Sequence, residues 1–366
     1  MKIVLGIDGS AWSQAAIQAV LDHPWPDGSE IRLVSVIRTL DTVIPAVELF
    51  FDTRSGAALG DLYVEAKRQL EIMAADLNLI LTNCVFSADA RVGDVAEGLM
   101  SVAETWQADL IVVGSHGKTG LAKLLLGSVS QALVTSAPCP VLVVKVKDHE
   151  QVKQKVKHQN KQDKGKLVEP DRSDFKRILV PIDDSYFSGV AMHWIAGRQW
   201  AEGAEFCLLH IANHDIDETA EEKHARHADH ETAEQHRRAI HASGMYALEA
   251  RAKYLADRMG HGRFTCRVVD GKPSHAIVEQ ANKWPADLIV MGSHGHQSKA
   301  LLILGSTTRE VTANALCSVE VVRVPHSLIP GHESHTLPEH EDQHIQIIDE
   351  PRKLDDKPHV QPTGMM

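Results

Sequence analysis

The sequence predicts an α/β fold built twice: two tandem, doubly wound domains, each around a five-stranded parallel sheet. Three observations carry this. A long segment recurs: Ile7-Asp8-Gly9-Ser10 returns as Ile182-Asp183-Asp184-Ser185, and Asp109-Leu110-Ile111-Val112-Val113-Gly114-Ser115-His116-Gly117 returns as Asp287-Leu288-Ile289-Val290-Met291-Gly292-Ser293-His294-Gly295. Within each copy, short and strongly apolar runs alternate with segments of helical spacing, the pattern of a parallel sheet covered on both faces. The length of 366 residues suits about two domains at roughly 150 residues each.

In the first copy, residues 2–7 read as a buried strand. Residues 12–21 have helical spacing, with Ser10 placed to cap the helix. Residues 31–37 form a second strand and 59–77 a long amphipathic helix. Residues 83–87 are the third strand, 94–106 a helix, 109–113 the fourth strand and 141–146 the fifth, with a helix after Gly127. The second copy follows at an offset of 175 residues at its start and 178 later, a short net insertion. A repeat this long is a duplicated domain, since solenoid units run to about 20–50 residues. The boundaries read as domain one over 1–146, a lysine-rich linker over 147–174, domain two over 175–325 and a disordered tail over 326–366 rich in His and acids. The linker holds Lys153, Lys155, Lys157, Lys161, Lys164 and Lys166 and few apolar residues, so it reads as solvated chain.

Composition excludes several classes. Apolar residues make up 43% and charged residues 24%, an ordinary globular mix. The net charge of -11 argues against non-specific nucleic-acid binding, which needs clustered cations. No apolar run approaches the roughly 18 residues that span a bilayer, and the opening residues lack a signal-peptide pattern. Five scattered cysteines form no C-x-x-C motif and read as buried thiols of a reducing compartment. The expectation is a cytoplasmic protein without a membrane partner.

In an open parallel sheet, ligands collect at the carboxyl ends of the strands. Strand one delivers Asp8, Gly9 and Ser10; strand four delivers Gly114, Ser115, His116 and Gly117, and nine residues later Gly127-Ser128 opens another helix. The second copy keeps this spacing with Gly292, Gly295, Gly305 and Ser306. Glycines permit left-handed backbone and close approach of a ligand. The N–H groups of such a turn, with a helix N-terminus behind them, form an anion nest. Ser128 adds a hydroxyl donor, and Asp8 an acceptor for a ribose hydroxyl or an adenine amino group. A nucleoside polyphosphate is the natural guest, set against the reading of these glycines as turn residues alone. His116 and His294 either touch phosphate or cap the turn. Walker, dinucleotide-fingerprint and nucleophile-elbow motifs are absent: Val112 stands where a P-loop needs its first glycine.

These motifs, with Gly127-Ser128 and Pro138-Cys139-Pro140-Val141-Leu142-Val143-Val144, resemble the universal stress protein family in its tandem form. The resemblance covers residues 1–146 and 175–325. It implies an adenine-nucleotide α-hydrolase-like fold with strand order 3-2-1-4-5, and ATP, with or without Mg²⁺, as ligand. It implies that Asp8 and the Val36 backbone hold adenosine while Gly114, Gly117, Gly127 and Ser128 cradle the phosphates. The matching positions are Asp183, Ile211, Gly292, Gly295, Gly305 and Ser306. Asp184 departs from Gly9, and its carboxylate would repel a triphosphate unless Mg²⁺ lies between; the second copy also has His296 where the first has Lys118, and tighter binding in the first copy follows. The resemblance also implies dimerisation through fifth strands. Here the two fifth strands are expected to pair within one chain, with a further homodimer open.

Other readings stay open. His224, His227 and His230 recur every three residues, on a solvated helix face or in a metal site with His236 or tail histidines such as His332, His335 and His340. Three functions compete: a regulator whose ligand is an adenine nucleotide, a slow ATP-hydrolysing enzyme, and a nucleotide-independent scaffold. The first is favoured, because no positioned base for water stands out beyond His116.

Overall fold

The computed structural model describes residues 1–38, 59–117, 126–146, 175–212, 230–295 and 304–323. The first half runs β1 (Lys2–Gly6), α1 (Ala11–Asp22), β2 (Ser29–Ile37), α2 (Leu59–Ile80), β3 (Cys84–Val92), α3 (Val95–Trp106), β4 (Leu110–Gly114), α4 (Ser128–Ser136) and β5 (Val141–Val144). The second runs β6 (Arg177–Pro181), α5 (Tyr186–Ala196), β7 (Glu205–Ala212), α6 (His230–Met259), β8 (Arg263–Asp270), α7 (Pro273–Lys283), β9 (Leu288–Gly292), α8 (Ser306–Asn314) and β10 (Ser318–Val322).

The strands form one ten-stranded sheet in the order β3-β2-β1-β4-β5-β10-β9-β6-β7-β8. Each half therefore has the order 3-2-1-4-5, with parallel neighbours throughout. Consecutive side chains of β1 go to opposite faces: Ile3 and Leu5 join one core, Val4 the other. Each core runs continuously across both halves. Helices α1, α2, α5 and α6 bury their apolar stripes in the first, and α3, α4, α7 and α8 in the second. The expected third strand, 83–87, continues to Val92. Its outer part carries Asp89 and Arg91, as suits a strand at the sheet edge, and so lacks the apolar run by which buried strands announce themselves. The second helix continues past residue 77 to Ile80, and the fifth strand stops at Val144 rather than at 146.

At the centre of the sheet β5 meets β10, the one antiparallel pair among the described strands, with Val143 opposite Val319, Leu142 opposite Glu320 and Val141 opposite Val321. Two cations tie the halves together symmetrically. Lys145 Nζ donates to the carbonyls of Ala313 (3.2 Å) and Ala315 (2.7 Å) at the end of α8. Its counterpart Arg323 donates from Nη1 to the Val134 carbonyl in α4 at 2.7 Å. Each cation thus meets the carbonyls and negative dipole end of a helix in the other half.

Beside this pair lies a buried polar cluster. Arg198 donates through Nη1 to both carboxylate oxygens of Glu320, at 2.6 Å for Oε1. Trp194 donates to the same Oε1 at 2.5 Å. Across the junction, Arg198 Nε donates to His23 Nε2 at 3.0 Å. The guanidinium lies between the indoles of Trp25 and Trp200, 5.0 and 5.1 Å from their ring centres. Glu320 is wholly buried, and Arg198 and His23 nearly so. Burial, with Arg198 beside it, holds the His23 imidazole well below its ordinary 6.5. It is therefore neutral, which leaves Nε2 free to accept.

Candidate functional site

Each half presents one loop cluster at the carboxyl edge of its sheet, where the first and fourth strands end. In the first half, Asp8 leaves β1 and its Oδ1 accepts the Ser10 N–H at 2.9 Å, closing a tight turn. Gly9 takes a left-handed φ of +74° in that turn. Ser10 then caps α1, its hydroxyl accepting the Ser13 N–H at 3.1 Å. These contacts hold the Asp8 carboxylate against the loop from β4: a Cβ on Gly117 would stand 3.0 Å from Asp8 Oδ2.

That loop is tied at both ends. Ser115 N–H donates to the Val144 carbonyl at 2.9 Å, and Gly127 N–H donates to the Ser115 carbonyl at 2.9 Å. A Cβ on Gly127 would stand 3.1 Å from that same carbonyl oxygen. Gly127 is the N-cap of α4 and supplies no side-chain acceptor, so no cap bond occupies the helix start at Ser128. Asp8, Gly117, Gly127 and Ser128 are therefore neighbours although 120 residues separate the first from the last.

Gly114 sits differently. A Cβ there would fall 2.6 Å from the backbone carbon of Trp12, so the small residue is set by the seating of α1 on β4. Its carbonyl accepts the Ser130 hydroxyl at 2.8 Å, which locks α4 beneath the loop. His116 Nδ1 lies 3.1 Å from Ser115 Oγ, and its ring is 5.4 Å from Trp12, within the loop's support. Val36 lies one residue before the end of β2. Ile7 N–H donates to the Val34 carbonyl at 2.8 Å, so Val36 stands just beyond the end of β1.

The second half repeats this geometry. Asp183 Oδ1 accepts the Ser185 N–H at 3.1 Å and also the Ser185 hydroxyl. A Cβ on Gly295 would stand 2.9 Å from Asp183 Oδ2, and Gly305 N–H donates to the Ser293 carbonyl at 3.0 Å. Ser306 begins α8, whose N-cap Gly305 again makes no side-chain bond. Gly292 faces the Phe187 carbonyl oxygen, 2.7 Å from where a Cβ would lie, and Thr308 replaces Ser130 with a 3.0 Å bond to the Gly292 carbonyl. His294 is buried, 2.9 Å from Ser293 Oγ and 4.7 Å from the Phe187 ring centre. Ile182 N–H donates to the Leu209 carbonyl at 2.8 Å, placing Ile211 as Val36 is placed.

One difference bears on charge. Asp184 does not share the left-handed backbone of Gly9, and its carboxylate is held by Arg251 Nη2 of α6 at 2.9 Å. The repulsion expected from Asp184 thus has a counter-ion, one the sequence pattern did not reveal because 67 residues separate the two. Trp12, Phe187, Ser130 and Thr308 also support the loops without a motif to mark them.

Of the histidine triplet, His224 and His227 lie outside the described residues, as do His332, His335 and His340. Among the described residues no group of three or more His, Cys, Asp or Glu is placed to hold a metal. Among the described residues the five cysteines form no disulfide, and burial pushes Cys139 up to about 12. No described helix is long and apolar enough to cross a membrane.

The comparisons agree with one another on the family. The model of the Universal stress protein family matches residues 1–145 and 174–323. A universal stress protein of Mycolicibacterium smegmatis is 25% identical over 325 residues, covering 88% of this chain and 96% of that protein. One from Coxiella burnetii is 35% identical over 98 residues, 26% of this chain and 64% of that protein. The crystal structure of a universal stress protein from Archaeoglobus fulgidus superposes with a TM-score of 0.55 at 20% identity, covering 89% of this chain and 97% of that one. With the motif recurring in both halves and the family model matching most of its length, the chain belongs to the universal stress protein family.

Proposed function

We propose that this chain binds an adenine nucleotide, ATP with or without Mg²⁺, at each of its two loop clusters, as a regulatory ligand in a stress response. One observation carries the reading. In both halves a glycine loop closes against an aspartate on one side and an uncapped helix start on the other. Backbone N–H groups and a helix dipole are the donors a polyphosphate needs. Asp8 and Asp183 are acceptors for the nucleoside, with Val36 and Ile211 at its edge. Gly117, Gly127 and Ser128, with Gly295, Gly305 and Ser306, line the phosphate side. Gly114 and Gly292 act from beneath, by seating α1 and α5. We read 1–146 and 175–325 as the two domains, paired through β5 and β10 in place of a dimer of single domains. Five cysteines without a disulfide, four of them buried, fit a reducing cytoplasm.

Mass spectrometry of the freshly purified full chain tests this. Adenine nucleotide should be recovered, and Gly117→Val with Gly295→Val should remove it. Recovery of none, with no binding on titration with ATP, would leave the scaffold reading. Phosphate release at rates above those of the double valine variant would favour a hydrolase.

A further inference from the structure

The two halves differ in how their long helix meets the carboxyl edge of the sheet. Leu248 and Leu255 of α6 are buried as Leu70 and Leu77 of α2 are, 178 residues earlier, so the helices align position by position. On that alignment Arg251, Gly244 and His241 replace Met73, Ala66 and Tyr63. The sheet residues that face them have changed as well. Asp184, His210 and Asp270 stand where the first half has Gly9, Ser35 and Val92. The second half therefore has Arg251 on Asp184 at 2.9 Å and His241 Nε2 on Asp270 Oδ1 at 2.7 Å. A Cβ on Gly244 would stand 2.8 Å from the His210 ring, so α6 is drawn close there.

Arg251 brings a cation beside the second loop cluster, where the first half has a thioether. Its guanidinium contacts the residue next to Asp183, whose own carboxylate lies against Gly295. The Arg251 and Asp184 side chains are 31% and 66% exposed. An ion pair so open to water is weak, whereas a guanidinium binds phosphate oxygens through paired, charge-assisted bonds. A polyphosphate in the glycine loop is thus a stronger partner for Arg251 than Asp184 is.

We propose that Arg251 is a phosphate-binding residue of the second half, held by Asp184 until a nucleotide arrives. It strengthens the second site's preference for ligands with more phosphate charge, through a cation that Met73 does not supply in the first half. This deepens the reading of the second half as a nucleotide site and rests on it.

The test uses the full chain carrying Gly117→Val, which silences the first half, titrated calorimetrically with ATP, AMP and adenosine in EDTA at two salt concentrations. Arg251→Met, the first half's residue, should weaken ATP about tenfold or more, AMP less, and adenosine not at all. It should also flatten the salt dependence. Asp184→Gly should tighten ATP severalfold, and Arg251→Lys should recover part of the loss. Equal weakening of ATP and adenosine by Arg251→Met, or no change in either, would make the pair a brace for the loop and overturn the proposal. If the Gly117→Val parent binds neither ATP nor adenosine, the second half is not a nucleotide site and the proposal falls with that reading.

Discussion

The two halves of this chain share a backbone and part company in their side chains. Where the loops are built they agree: Asp8 and Asp183, Gly117 and Gly295, Gly127 and Gly305 make the same contacts within a few tenths of an ångström. In the buried polar cluster where the halves meet they do not. The three equivalent positions at the junction are Ala19, His23 and Leu142 in one half, and Trp194, Arg198 and Glu320 in the other. Leu142 and Glu320 face each other across β5 and β10. Two equal halves would set two glutamates, or none, at that point. Divergence allows one buried carboxylate, paired with one guanidinium, against a neutral imidazole. A duplicated fold can thus keep a symmetric frame and become electrostatically asymmetric where symmetry would bury like charges together.

The largest effect that would break this comparison lies at the junction. Glu320→Leu copies the first half's residue and strands the buried Arg198. It should lower the unfolding free energy by about 3–5 kcal/mol, read by chemical denaturation. Adding Arg198→His gives a second junction position the first half's residue, removes the stranded guanidinium and should recover most of the loss. If the double variant were no more stable than the single one, the ion pair would not be the cause.

Next come the glycines that seat the first helix of each half. Gly114→Ala and Gly292→Ala each push a Cβ into backbone, that of Trp12 and that of Phe187. Each should cost about 1–3 kcal/mol and the two costs should match. A large inequality in their denaturation midpoints would show that the halves differ in seating as well as in charge.

The smallest effects are in pH dependence. The His23 imidazole is held below 6.5 by burial and Arg198, so the unfolded chain takes up its proton first as pH falls. Stability should drop on acidification below about 6.5, by at most ~1.4 kcal/mol per pH unit from this group. His23→Gln should reduce that slope. Burial pulls the Lys145 ammonium down to about 8 from 10.5. Between those values the unfolded chain again holds the extra proton, so stability should rise with pH over that window. Lys145→Met should flatten the rise, and an unchanged slope would mean that the ammonium is better solvated at the end of α8 than its burial implies.

Much of the site was legible because its parts are local. The turn after the first strand is marked by Asp8 and Ser10 and the uncapped helix start by Gly127, and the repeat kept all three as Asp183, Ser185 and Gly305. Gly114 belongs to the same motif, yet its role follows from the close approach of Trp12 to β4, and no spacing encodes that. Arg251, and its pairing with Asp184, escaped notice because an arginine in a charged helix is an ordinary residue until folding brings it to a carboxylate 67 positions away. Residues 83–92 were half legible, since an edge strand mixes polar and apolar residues.

The amino-acid order alone determined the duplication, the alternation of strand and helix, the parallel sheets and the glycine spacing. These rest on short-range patterns of burial and backbone freedom, which a sequence displays directly. Only the tertiary structure decided that Leu142 faces Glu320, that Lys145 and Arg323 reach helices of the opposite half, and that Asp184 has a counter-ion. Each depends on residues tens to hundreds of positions apart, and the energy of a charge is set by what surrounds it rather than by what adjoins it in the chain.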